Sequence, residues 1–307
     1  MVYRFVAHGL RFDSDHDFLF LTRASRRQAL TLPDFEIKVV ALRSMHRAAG
    51  EEWQRVRKAG VDVVRGDVYI GLRFEDGLQV RLEGKAIAVA WPSRLSETRA
   101  CHTLLHAVIP YCLAFRGHVM LHAGCVAVDE QAATLFVGPT GRGKSTLTAW
   151  MLKKGARLLG DDVVRIELRD NQAWVHPSYD SVSLLADSHE RLFGDQGSAF
   201  VTARGRNKVR LRDLNTCAVT ENAVLLNRIH VLLPGRLCSP VISIINPVFA
   251  VAHLMRANFI GPIGARRYNE NGHLDRILAL AARVTVAEVR FRKSWKFLPE
   301  LASVLRS

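Results

Sequence analysis

No run in the sequence approaches the roughly 20 consecutive apolar residues that a membrane-spanning helix needs. Charges also interrupt the opening stretch MVYRFVAHGLRFDSDHDF, where a secretory signal would place its apolar core. Membrane insertion and secretion are therefore not expected, and the cytoplasm is the expected compartment. Cysteine is sparse: Cys101, Cys112, Cys125, Cys217 and Cys238 are odd in number, scattered, and form no CxxC or Cys/His cluster of metal spacing. Neither a disulfide framework nor a zinc site follows from them. Acid is also short, with 29 Asp and Glu against 43 Lys and Arg, a net charge of +14. Such a field attracts polyanions such as nucleotides, nucleic acids or acidic peptides. The basic residues come in small groups along the whole chain, however, including Arg23, Arg26 and Arg27, Arg55, Arg57 and Lys58, and Arg290, Arg292, Lys293 and Lys296. With no aromatic-interleaved RNP pattern, zinc finger or basic-zipper run, nucleic acid is not the expected partner. What is present, 307 residues with 49% hydrophobic and 23% charged, suffices for one large core or two modest ones.

Residues 1–92 alternate like strands. In VYIGLRFEDGLQVRLEGKAIAVAW the runs Val68 to Phe74 and Leu78 to Leu82 flank Asp76-Gly77, a pair that favours a hairpin turn, and Ala86 to Trp91 supplies a third strand. Residues from about Arg43 to Lys58 are charged and compatible with a helix. A connecting helix follows over 93–117, with Ser96 as N-cap, Pro110 as a kink or split and Gly117 as its stop. From 118 to 307 the pattern becomes α/β. VMLHAGCVAV and ATLFVG, separated by DEQAA, predict a hairpin whose second strand, Thr134 to Val137, runs into GPTGRGKST.

That stretch, Gly138, Pro139, Thr140, Gly141, Arg142, Gly143, Lys144, Ser145 and Thr146, is the candidate nucleotide-binding loop. A strand, GxxxxGK[ST] and a helix, in that order, form the Walker A context. Gly138, Gly141 and Gly143 allow torsions that let successive N–H groups converge on phosphate oxygens, and the helix from Ser145 to Lys154 adds its positive end. Lys144 can reach the β- and γ-phosphates, and the Ser145 hydroxyl can ligate Mg²⁺.

Asp161-Asp162 closes a short apolar run, Leu158-Leu159-Gly160, with Asp162 eighteen residues after Lys144. That is earlier than the acid which ends a long hydrophobic strand in generic P-loop NTPases. Two adjacent carboxylates beside a nucleotide can divide two tasks, holding metal and accepting the proton of an attacking hydroxyl. The alternative is a solvated pair at a strand start. His122, inside an apolar strand, is either a hydrogen-bonded core residue or a third element of the same site.

On LHAGCVAV, LFVGPTGRGKST and KKGARLLGDDVV the chain resembles HPr kinase/phosphorylase and the HPr-kinase-related P-loop kinases, specifically over about Val119 to Val164. The resemblance implies an α/β P-loop kinase domain of the phosphoenolpyruvate-carboxykinase-like type using ATP and Mg²⁺. It further implies Asp162 as the base, His122 assisting at the reacting phosphate, Lys144 and Ser145 holding nucleotide and Mg²⁺, and Asp161 as a metal or water ligand. No counterpart of the family's later signature segment with its metal-binding Glu is found, which leaves a second metal ligand and the reverse reaction unassigned. The layout of a β-rich front lobe, a helix and a kinase core looks like the stand-alone HPr-kinase-like proteins of peptide-modification pathways, including lasso-peptide precursor kinases that phosphorylate a C-terminal Ser. The implied partner is a peptide or protein carrying a Ser hydroxyl.

Farther on, Arg206, Lys208, Arg210 and Arg212 recur at period 2, so a strand would put all four on one face. That face is either an attractor of phosphates or acidic peptide, or an exposed strand edge blunted by charge. In Trp174 to Leu185, Tyr179 and Asp180 either approach the nucleotide or belong to a plain loop. Asn227 to Gly235 reads as a late strand, and the region from Pro247 as helices with Val248, Phe249, Val251 and Leu254 on one side, plus a strand near Val284 to Val289. The expected activity is transfer of a γ-phosphoryl group to a Ser hydroxyl. A small-metabolite kinase and a nucleotide-dependent regulator of polyanions stay open, as does a homo-oligomer.

Overall fold

A computed structural model describes residues 1–18, 22–24, 32–45, 53–56, 60–66, 69–128, 132–178, 181–194, 198–203, 207–212, 222–236, 239–260 and 272–305. Tyr179, Asp180, Arg206, Cys217 and Cys238, and the basic residues Arg26, Arg27, Arg57 and Lys58, lie outside the described residues. The chain is mixed α/β and divides into two compact units, one running from Met1 to Cys112 and the other taking up at Leu113. The division falls inside the helical stretch that the sequence sets apart as a connector. No helix among the described residues is long and apolar enough to cross a membrane.

The first unit is built on strands β1 (Tyr3–Ala7), β2 (Leu10–Ser14), β3 (Thr22–Arg23), β4 (Phe35–Val39), β5 (Gln54–Val56), β6 (Val61–Arg65), β7 (Tyr69–Phe74), β8 (Gln79–Glu83) and β9 (Ala86–Ala90). They form one sheet in the order β3-β1-β2-β4-β9-β8-β7-β6-β5. Period-2 patterning sets its faces: in β8, Val80 and Leu82 turn inward while Arg81 turns out. The hairpin between β7 and β8 has Gly77 at φ 94, with the Leu78 carbonyl accepting from Phe74 N–H at 2.9 Å. Among the described residues of the helix-compatible region from Arg43 to Lys58 are a 3₁₀ turn, Leu42–Ser44, and β5, whose pairing with β6 overrides local propensity there; residues 46–52, 57 and 58 lie outside the described residues. Helices α1 (Glu97–Thr103) and α2 (Ile109–Phe115) are joined by a π-helical stretch, Leu104–Val108. Pro110 has no N–H for the His106 carbonyl and its ring crowds that group, which accounts for the wider turn. The stop at Gly117 is a Schellman arrangement, with Gly117 N–H on the Ala114 carbonyl and His118 N–H on the Leu113 carbonyl at 2.9 and 3.1 Å.

The second unit contains β10 (Val119–Leu121), β11 (Gly124–Ala127), β12 (Ala132–Val137), α3 (Lys144–Lys153), β13 (Arg157–Gly160), β14 (Val164–Arg169), β15 (Gln172–His176), β16 (Val182–Leu185), α4 (Ala186–Phe193), β17 (Ser198–Ala203), β18 (Asn207–Arg212), β19 (Val224–Pro234), β20 (Val241–Ile244), α5 (Pro247–Ala257), α6 (His273–Arg283), β21 (Thr285–Phe291) and α7 (Leu298–Val304). The main sheet runs β10-β14-β15-β19-β12-β11-β13, with β21 on β19 and β20 on β21. Strands β12, β19 and β21 are mutually parallel in that sequence of neighbours. Their alternating side chains build two cores. Leu135, Ile229 and Val286 meet Leu254 of α5 and Leu280 of α6, whereas Phe136, Leu232 and Val289 meet Leu147 of α3 and Leu301 of α7. These strands are covered on both faces; β12 ends at Val137 opposite Val231, β19 and β21 run on to Pro234 opposite Phe291, and the carboxyl ends of such strands are where open α/β sheets place ligands.

Three expectations change here. VMLHAGCVAV is two strands broken at His122-Ala123: β10 pairs with β14, and β11 pairs with β12. Val248 and Phe249 are exposed at the start of α5, although Leu254 is buried as expected. Strand β18 is the centre of a three-stranded sheet, β16-β18-β17, so the alternating cations do not blunt an edge.

Candidate functional site

The loop after β12 gets its shape from its glycines. Gly141 and Gly143 have φ of 82 and 91 with open space where a Cβ would stand, so torsion rather than crowding selects glycine there. At Gly138 a Cβ would lie 2.6 Å from the Leu232 carbonyl, so glycine lets the loop start against β19. Lys144 is buried, and its Nζ donates to the carbonyls of Gly138 and Pro139 at 2.9 and 3.4 Å. Helix α3 begins with Leu147 N–H on the Gly143 carbonyl and ends in a Schellman cap at Gly155 and Ala156. The N–H groups of its first turn, free of intrahelical partners, make this end of the sheet receptive to an anion.

The break between β10 and β11 presents His122. Its N–H donates to the carbonyl of Ala257, the last residue of α5, at 2.7 Å, and Ala123 N–H donates to the Asp162 carbonyl at 3.3 Å. Asp162 itself has φ 75, a left-handed conformation that Asp and Asn tolerate better than most side chains. These constraints bring His122 Nδ1 to 3.3 Å from the Asp162 carboxylate, with both side chains about one third exposed, at 37% and 31%.

Gly124, next in β11, has no room for a side chain: a Cβ would lie 2.3 Å from Thr148 Oγ1 of α3. Gly124→Ala should therefore destabilise the second unit by about 1–3 kcal/mol, because it drives the loop's own helix off the strand. Chemical denaturation checks this, and an unchanged midpoint would mean that α3 shifts freely. Cys125 beside it is fully buried and burial pushes its thiol far up, so it is no nucleophile.

A cavity of about 390 Å³ joins these parts. Of the sequence-derived candidates, His122, Asp162, Thr140, Gly141, Arg142, Gly143, Lys144, Ser145 and Thr146 line it together. Gly138 and Pro139 stand behind, as carbonyl partners of Lys144. Asp161 does not line it. That residue is 2% exposed and accepts the Ser183 N–H at 3.0 Å, which ties the Asp-Asp corner to β16. Sequence reasoning missed other parts of the wall, including Ser183, Leu184 and Asp187 from β16 and α4, Phe291 at the end of β21, and Lys293, Trp295 and Leu298 past it. Lys293 Nζ donates to the Gly141 carbonyl at 2.8 Å. No local motif announces these residues, since they arrive through pairing of distant strands.

No protein-family model matches the chain, and no curated protein matches it. Among solved structures, the Hpr(Ser) kinase/phosphatase from Coxiella burnetii is similar over 61% of this chain and 87% of its own, at 15% identity and TM-score 0.33. A likeness at that level decides nothing about the chemistry. The residues have to carry it.

Away from the cavity, a second polar group joins β14 and β15. Glu167 is hydrogen-bonded to His176 Nε2. Burial pushes the Glu167 carboxyl up, but His176, Arg165 and Arg169 together hold it below its ordinary value. His176 is lowered by burial and by Arg165 despite that bond. His118 is lowered to about 4 by burial, then by Arg165 and Arg276.

Proposed function

We propose that the chain is a P-loop kinase of the HPr-kinase-like type that transfers the γ-phosphoryl group of ATP to a serine hydroxyl of a peptide or protein. The C-terminal Ser of a lasso-type precursor peptide is the first acceptor to test. The observation that carries the proposal is the His122–Asp162 pair, 3.3 Å apart, lining the same cavity as the glycine-rich loop. A phosphate-binding loop and a base lining one cavity are the two halves of a phosphotransferase site.

In the proposed reaction the acceptor oxygen bonds to the γ-phosphorus as the bond to the departing ADP oxygen breaks, and the hydroxyl proton passes to Asp162. His122 orients that carboxylate. Lys144 and the loop N–H groups neutralise charge that develops on the phosphoryl oxygens. Among the described residues no group of three or more His, Cys, Asp or Glu could hold a metal ion. Of the oxygen donors that line the cavity, the Ser145 hydroxyl at the start of α3 suits a hard cation that takes its other ligands from phosphate and water. Mg²⁺ bound there would supply charge neutralisation at the β- and γ-phosphates.

The test is incubation of the protein with γ-labelled ATP and three sets of acceptors: Ser-ending peptides encoded beside it, Ser-bearing proteins, and small hydroxyl metabolites. Label on a peptide Ser supports the proposal, and label only on metabolites replaces it with a small-metabolite kinase. Salt-dependent polyanion binding without transfer to any acceptor would replace it with a regulator.

A further inference from the structure

The strongest unassigned feature of the cavity is Lys293. Its backbone is pinned on both sides. Before it, the Phe291 carbonyl at the end of β21 accepts from Gly235 N–H at 2.9 Å; after it, the Ser294 hydroxyl accepts from Lys296 N–H at 3.3 Å and starts the turn Trp295–Phe297. Strand β21 is in turn held parallel to β19, and β19 parallel to β12, the strand that feeds the glycine-rich loop. A lysine delivered this way meets the loop at Gly141, whereas Lys144 is held at Gly138 and Pro139. Its ammonium donates to the Gly141 carbonyl, and among the described residues it has no carboxylate partner. The Gly141 carbonyl carries no charge to neutralise the ammonium, whereas a phosphate oxygen is an ionised acceptor for an ionised donor.

We propose that Lys293 is a second phosphate-binding cation, which exchanges the Gly141 carbonyl for the terminal phosphate of a nucleoside triphosphate, so that β21 reports the presence of that phosphate to the loop. This rests on the nucleotide-binding half of the function proposed above. The competing role is a latch that merely holds the loop tip, and the two differ in what they recognise. A latch acts equally on every nucleotide, while a terminal-phosphate ligand acts on the triphosphate alone.

Binding of ATP and of ADP, each with Mg²⁺, to the full chain and to Lys293→Met and Lys293→Arg separates them by calorimetric titration. The expected result is an ATP affinity lowered about tenfold or more in Lys293→Met, with ADP within about twofold, and a preference largely restored in Lys293→Arg, which keeps the charge. Equal losses for ATP and ADP, or no loss for either, overturn the assignment while leaving the kinase proposal standing. Failure of the unsubstituted chain to bind either nucleotide overturns both. Lys293 is exposed, so its variants should melt with the parent, and that melt is the folding control.

Discussion

Asp162→Asn should lower phosphoryl transfer by about 10²–10⁴-fold, the range for loss of a general base, while ATP affinity stays within a few-fold of the parent. Asn is the informative replacement for a backbone reason as well as a chemical one. The residue sits at φ 75, where Asn is as well tolerated as Asp, so the corner after β13 should keep its form. The hydrogen-bond reach to His122 is retained in length, but the amide cannot take a proton from an attacking hydroxyl. Binding and chemistry are thereby separated, since the proposed phosphate contacts come from the glycine-rich loop and Lys144, not from Asp162. Asp162→Gly provides a second arm. It frees the strained torsion, worth on the order of 1 kcal/mol, so a protein at least as stable as the parent yet inactive would locate the defect in the carboxylate. Transfer at the parental rate in Asp162→Asn, measured with labelled ATP and a working acceptor, would falsify the base assignment.

The parts of this cavity that were legible in sequence are those whose geometry is local. Strand, glycine loop and helix are contiguous, so spacing alone places Lys144 and Ser145. Asp162 was legible because a helix stopped by Gly155 and a four-residue strand, β13, leave little freedom in where the corner falls. The separate fates of Asp161 and Asp162 were not legible. Adjacent residues at a corner point apart, and which one meets the cavity depends on the left-handed torsion at Asp162 and on the Ser183 N–H that captures Asp161. The apolar residues of α5 misled for a related reason. Helical spacing groups Val248 and Phe249 with Leu254, but only the register of α5 on the sheet decides which turn is covered. Lys293 was beyond reach altogether, because it lies 152 residues from its partner Gly141.

A second large effect is expected in acid, and it centres on His230. This residue lies in β19 between Phe136 of β12 and Ala287 of β21, fully buried, with its ring stacked on Phe136 at 6.1 Å. Among the described residues neither ring nitrogen has a hydrogen-bond partner. Burial, with a smaller contribution from the Arg228 charge, lowers its pKa to about 4 from 6.5. Between those values the unfolded chain binds a proton that the folded one refuses, so stability rises with pH across the window and is flat above it. The neutral imidazole therefore contributes stability that is fully present above pH 6.5 and is lost toward pH 4, on the order of 3 kcal/mol in all. His118, also at about 4, acts in the same window and in the same direction. His230→Leu removes one of these titrations along with two unsatisfied ring nitrogens. The difference in unfolding free energy between this variant and the parent should be constant above pH 6.5 and should move in the variant's favour as pH falls to 4. Denaturant titrations at half-unit pH intervals provide the curve, and a difference that stays constant throughout would mean that the imidazole finds a proton partner in the folded sheet. Because β19 joins the strand feeding the loop to β21, the strand that leads to Lys293, an acid-weakened β19 should loosen both proposed phosphate contacts at once. Nucleotide affinity of the parent should therefore fall in the same pH window, and less so in His230→Leu.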